Sequence, residues 1–237
     1  MSHDVLPIRA VLFDFARTLF RFNDPAQLIR AIATQEGRLD IAADAEALAG
    51  LLNDAHLHPE VLELWKHGDL TEAGHLAYRT GWVARVAELS PILEPLAAAM
   101  IDPAGWPPYA DTAAVLAGVA ERGVPIAVVS NIGWDIRAVF ALHGIDRHVD
   151  VWTLSYEVGA VKPDPAIFKH ALEKLGVPGR NALMVGDTPA ADGGATAVGC
   201  RVFLLPGAES AASWLAPSDE VRGLGAVLHL LDAANRR

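Results

Sequence analysis

Five short apolar runs punctuate the chain, at 10–13, 124–129, 149–154, 182–185 and 201–205. Each is too short for a buried helix and is bounded by turn residues, so each predicts a strand, the first read as buried and 124–129 as a buried parallel strand. The first, Val11 to Phe13, ends on Asp14. The second ends on Ser130 and Asn131, and the fourth on Gly186 and Asp187. Between the runs, apolar residues recur at helical spacing: Leu28, Ile29 and Ile32; Val115, Leu116 and Val119; Ile167, Phe168, Ala171, Leu172 and Leu175. Asp24 with Pro25 and Asp164 with Pro165 have the form of a cap followed by a first helical residue. Helices are expected at about 25–36, 42–55, 59–67 and 72–88, with Thr71 as an N-cap. Others are expected at 91–100, 111–122, 134–143, 165–175 and 188–198. A last one, near 219–235, carries Val221, Leu224, Val227, Leu228, Leu230 and Leu231.

Strands alternating with helices predict βαβ units and a parallel sheet, an α/β fold. Residues 22–101 break the alternation, because they contain helical stretches and no alternating β-branched run. They form an all-helical insertion after the first strand. The core is then 1–21 with 102–237.

Composition narrows the partners. At 237 residues the chain can bury a proper core. Its net charge of −10, with no basic stripe, argues against nucleic acid. One cysteine, Cys200, rules out a disulfide framework and suits a reducing, cytoplasmic setting. The N-terminus MSHDVLPIRA lacks a signal-peptide core, and no run reaches 18 apolar residues, so no membrane association is expected.

Four segments carry chemistry: DFART at 14–18, SN at 130–131, KPDP at 162–165 and GDTPAAD at 186–192. Singly each has an ordinary structural explanation: an N-cap, a strand-end turn, a solvated lysine. Together they lie at strand ends that parallel topology gathers on one sheet edge, where open α/β folds bind ligands. Phosphoryl transfer gives each residue type a reason. A carboxylate, Asp14, can take the phosphoryl group as an aspartyl-phosphate. Lys162, Ser130 and Thr18 suit the charge on the transferring oxygens. Converging carboxylates repel unless a hard cation joins them, which makes Asp187 and then Asp192 candidate Mg²⁺ ligands.

The ordered set resembles the haloacid dehalogenase superfamily of hydrolases, whose pattern runs DxDxT, a strand-end Ser or Thr, a Lys often within KPDP, and GDxxxxD. The resemblance covers 8–20 and 106–205, and the segments GAVKPDPAIF and GDTPAADGGA carry most of its specificity. It implies a Rossmann-like, doubly wound core with an inserted helical cap at 22–101. It also implies Mg²⁺ held by Asp14, the Ala16 carbonyl and Asp187, a small phosphorylated substrate chosen by the cap, and a monomer or homodimer.

The chain departs from the pattern at two positions. The family's general-acid Asp is Ala16, which moves no proton, and the small residue that usually follows is Arg17. General acid–base catalysis is worth about 10²–10⁴ in rate, so ordinary phosphate esters are expected to turn over slowly. Arg17 either adds charge beside the phosphate, as a substrate-binding group, or points outward. The missing acid leaves several routes open. One is a substrate with a good leaving group, and another is a proton from His56, His58, His67 or His75. A third is a different bond, carbon–halogen or carbon–phosphorus, the latter with Lys66 as a Schiff base in the manner of phosphonoacetaldehyde hydrolases. A fourth is a non-catalytic phosphate-binding role. Asn131 and Trp134 are expected near the substrate. Trp65 and Trp82 are expected to pack between helices, with pocket lining as the alternative.

Overall fold

The structure, a computed structural model, describes residues 6–205 and 223–236. The first strand, β1, is Ala10–Phe13, and every helix or strand that follows it up to residue 121 is helical. These are α1 (Pro25–Gln35), α2 (Leu39–Ala43), α3 (Ala45–Ala55), α4 (Pro59–Gly68), α5 (Glu72–Val83), α6 (Leu93–Ala99) and α7 (Thr112–Glu121). The alternation then begins: β2 (Ile126–Ser130), α8 (Arg137–Leu142), β3 (Val151–Leu154), α9 (Ser155–Val158), α10 (Pro165–Leu175), β4 (Ala182–Gly186), α11 (Pro189–Asp192), β5 (Arg201–Leu204) and α12 (Gly225–Asn235).

The strands form one parallel sheet in the order β3-β2-β1-β4-β5. Phe13 lies level with Val128 on one side and Val185 on the other. Asp14, the end of β2 and the end of β4 therefore share one edge. Side chains on a strand alternate between faces, and the sheet is covered on both. Val11, Phe13, Ile126, Val128, Leu183 and Val185 face a core shared with Phe140, Val227 and Leu231. Ala10, Leu12, Ala127, Val129, Ala182 and Met184 face Ile167, Phe168, Ala171 and Leu172 of α10. The runs of the three central strands, β1, β2 and β4, are thus buried on both sides, which is why they carry no polar alternation, whereas the edge strand β5 and the start of β3 are half-buried.

The caps fall as expected: Asp24, Thr71 and Asp164 accept from the amides of Ala26, Gly74 and Ala166. Four helix boundaries differ. The 42–55 stretch starts at Leu39 and breaks at Asp44, which is shared by α2 and α3. The 72–88 helix stops at Val83, because Val86 turns extended and the next turn is a 3₁₀ helix, Ala87–Ile92, containing Pro91. The 134–143 helix begins only at Arg137, whose amide is taken by the Asp135 carboxylate, so Trp134 stays in the loop. The 188–198 helix splits after Asp192 into a 3₁₀ turn at the Gly193–Gly194 pair, where α-helix is costly. The expected start of the last helix, with Val221, lies outside the described residues; its observed part runs from Gly225. Among the described residues no helix is long and apolar enough to cross a membrane.

Candidate active site

The site is built from strand ends and the loops that leave them. Asp14 follows β1, and its amide donates to the Val185 carbonyl of β4 at 2.9 Å. The next residues fold back on themselves: Leu19 and Phe20 both donate to the Phe15 carbonyl, and the Arg17 amide donates to that of Phe20. Arg17 adopts φ 61°, the one positive φ outside glycine among the described residues. That region costs an L-residue about 1–2 kcal/mol relative to its ordinary conformations, which explains a glycine preference that this chain does not follow.

Lys162 arrives from a different part of the sheet edge, on the loop between α9 and α10. Asn131, at the end of β2, fixes it there. The Asn131 side-chain amide donates to the Lys162 carbonyl at 3.0 Å, and its oxygen accepts the Lys162 amide at 2.7 Å. The Lys162 ammonium is buried and donates to Asp14 Oδ1 at 2.6 Å and to Asp192 Oδ1 at 2.7 Å. Asp192 Oδ2 accepts the backbone amides of Asp187 and Thr188, at 3.0 and 2.9 Å. Both Asp192 oxygens are therefore engaged in holding the lysine and the loop. Asp187 accepts from Thr188 Oγ1 at 3.1 Å and from Arg17 Nε at 2.6 Å, and it also pairs with Arg17 Nη2. Thr18 is buried with its hydroxyl 3.4 Å from Asp14 Oδ2, and Ser130 is buried at the end of β2.

Asp14, Asp187 and Asp192 each offer an oxygen, and these lie within 4.8 Å of one another. Two cations, Lys162 and Arg17, stand against these three carboxylates. Burial is the main force on Asp14; Lys162 opposes it, and Asp192 and Asp187 add to it. The result is a carboxyl pushed up to about 7. Burial alone would lower Lys162, but Asp14 and Asp192 outweigh it and hold the ammonium above its ordinary value.

Beside this cluster lies a cavity of about 60 Å³. At roughly 10–15 Å³ per water, it admits a few waters or a small organic group. Its walls join the insertion to the sheet edge: Trp65, Tyr78, Arg79 and Trp82 from one side, Trp106, Asn131 and Trp134 from the other, with Ala16 between. Trp82 packs between helices as expected, buried with its Nε1 donating to the Leu52 carbonyl at 2.7 Å, and both it and Trp65 also take the alternative place on the cavity wall. Trp106, Tyr78 and Arg79 were not singled out from sequence; only the three-dimensional meeting of α5 with the loop before α7 marks them.

The histidines of the insertion separate clearly. His75 lines the cavity, whereas His58 caps α4 and His67 is exposed. His56 is buried between Trp65 and Trp82 and is held below its ordinary value, first by burial and then by the Arg17 charge. Lys66 sits on the surface against Glu63 at 2.5 Å and takes no part in the cavity.

The profile of the haloacid dehalogenase-like hydrolases matches residues 8–199. The chain belongs to this family. Among relatives of this haloacid dehalogenase-like hydrolase is the haloacid dehalogenase-like hydrolase domain-containing protein 3 of Mus musculus. It is 32% identical over 160 residues, 66% of this chain and 63% of the relative, so that match spans under two thirds of the mouse protein. The ribulose-1,5-bisphosphate 5-phosphatase of Halopiger xanaduensis is 31% identical over 218 residues, 86% of this chain and 87% of its own. Among solved structures, a HAD phosphatase from Thermococcus onnurineus shares the fold with a TM-score of 0.60 at 22% identity, over 94% of this chain and 98% of that one.

Proposed function

We propose that this hydrolase is a phosphohydrolase acting on a small phosphorylated metabolite, with Asp14 as the nucleophile. The contact that carries the reading is Lys162 between Asp14 and Asp192. A buried ammonium pinned by two carboxylates fixes the nucleophile and places positive charge where phosphoryl oxygens arrive. The phosphatase relative supports the same reaction class. In this reading an Asp14 oxygen bonds to phosphorus as the bond from phosphorus to the leaving oxygen breaks. Water then attacks phosphorus, the aspartyl bond breaks, and phosphate leaves with Asp14 restored. Ser130 and Thr18 donate to phosphoryl oxygens, and Trp134 walls the substrate. Asn131 works through Lys162, whose backbone it clamps. Residues 1–21 with 102–237 act as the core and 22–101 as the cap, in a cytoplasmic monomer or homodimer.

The carboxylate cluster fits a divalent ion by charge and by spacing. Asp14, Asp187 and the Ala16 carbonyl would hold Mg²⁺, which supplies further positive charge to the phosphoryl group when bound. Asp192, with both oxygens engaged, supports that set through Lys162.

Ala16 on the cavity wall leaves the departing oxygen without a carboxylic acid beside it. Leaving groups stable as anions are therefore favoured. The expected outcome is phosphate release from acetyl phosphate well above that from an alkyl phosphate, lost in Asp14→Asn. Ala16→Asp should raise turnover of the alkyl ester by about 10²-fold, the lower end of the range for general acid–base catalysis. The same Ala16 also favours a second reading, hydrolysis of a carbon–halogen bond. Halide release from 2-chloropropionate, with no phosphate release from acetyl phosphate, would establish it instead.

A further inference from the structure

The loop after β1 carries its one strained backbone position on a residue whose side chain lies across Asp187. Arg17 holds φ 61° and a backbone bond to Phe20, so the direction in which its side chain leaves the loop is set. Its Nε donates to Asp187 Oδ2 at 2.6 Å, and Nη2 meets the same oxygen. The Asp187 side chain is 4% exposed and that of Arg17 is 23% exposed. The carboxylate is therefore enclosed, while the guanidinium keeps a path to water. The other carboxylates of the cluster have their own cation in Lys162; among the described residues the cation on Asp187 is Arg17.

We propose that the Arg17 guanidinium occupies the cation position on Asp187, so that a divalent ion binds there only by displacing it. A guanidinium and a small hard cation cannot share one buried carboxylate oxygen without strong like-charge repulsion. The charge of the three carboxylates is therefore partly offset in advance by two side-chain cations, and the metal affinity of the site is set by how readily Arg17 gives way.

The test is Mn²⁺ binding, followed by loss of the free-ion electron paramagnetic resonance signal in metal-free protein. It requires no turnover, so its failure is distinct from failure of the phosphohydrolase reading. Arg17→Gly suits the positive φ, and Arg17→Asn, which also tolerates it, is the second variant should the first fold poorly. Each should bind one Mn²⁺ at least about tenfold more tightly than wild type, since a part-buried ion pair on Asp187 no longer has to be broken. Adding Asp187→Asn to the variant should abolish the gain. Equal affinity of wild type and the Arg17 variants would overturn the proposal, as would a gain that survives Asp187→Asn.

Discussion

At the scale of single residues, the carboxyl of Asp14 sets the pH response. Burial raises it to about 7 from an ordinary value of 3.8, with Lys162 pulling the other way and Asp192 and Asp187 adding to the rise. Between those values the folded protein binds more protons at this group than the unfolded chain does. The stability it contributes is complete below pH 4 and is lost as pH rises through about 7. Urea midpoints of the metal-free protein should therefore fall between pH 5 and pH 7.5, by a component worth up to a few kcal/mol, and Asp14→Asn should lack that component. In the proposed reaction Asp14 acts ionised, and a divalent ion bound beside it favours that form, so phosphate release with Mg²⁺ should reach its plateau at a lower pH than the one at which the metal-free protein loses this stability. Asp14, Lys162, Asp187 and Asp192 were legible in the sequence because each sits next to a local strand or helix signal. The role of Arg17 was not, since its partner Asp187 is brought to it only by the β1–β4 pairing. The Asn131 clamp on Lys162 was hidden for the same reason: an asparagine after a strand looks like a turn former until its partner is placed.

Among the elements, the turn from β4 into α11 is the most tightly constrained. It winds around its own carboxylate, with Asp192 collecting the amides of Asp187 and Thr188. Gly186 is the residue that lets this happen, because a Cβ there would overlap the Asp192 carboxylate. Gly186→Ala should push Asp192 off Lys162 and cost about 1–3 kcal/mol by overpacking, read as a lower melting temperature together with weaker phosphate release. Strand positions were readable from the apolar runs to within two residues, since a strand buried on both faces has a plain composition. Helix ends were harder. The Asp135 carboxylate takes the Arg137 amide and leaves Trp134 in the loop before α8, and the Gly193–Gly194 pair turns the chain into 3₁₀ geometry. Both are contests between local hydrogen bonds and propensity that apolar spacing does not register.

On the scale of the whole molecule, the seam between the helical insertion and the sheet edge decides the cavity. Gly133 lies against the Gly68 carbonyl and the His75 side chain, and a Cβ would overlap both. Ser155 ties the same seam, donating to the Asp69 carbonyl at 2.5 Å and accepting from the Ile132 amide at 2.8 Å. Gly133→Ala should prise the insertion outward, and tryptophan emission should shift to the red as Trp65, Trp82, Trp106 and Trp134 gain water. An unchanged spectrum would show that the seam yields elsewhere. The central place of β1 has a further consequence, one of timing. Its flanking partners come from far along the chain: Val11 pairs with Ile126, and Ala10 with Ala182. At about 5–20 residues per second, a ribosome takes roughly 10–30 s to deliver the second neighbour after the first strand has emerged. For that interval the strand leading to Asp14 exists without the edge that gives it a purpose, and the nascent chain must keep its first apolar strand from pairing with anything else.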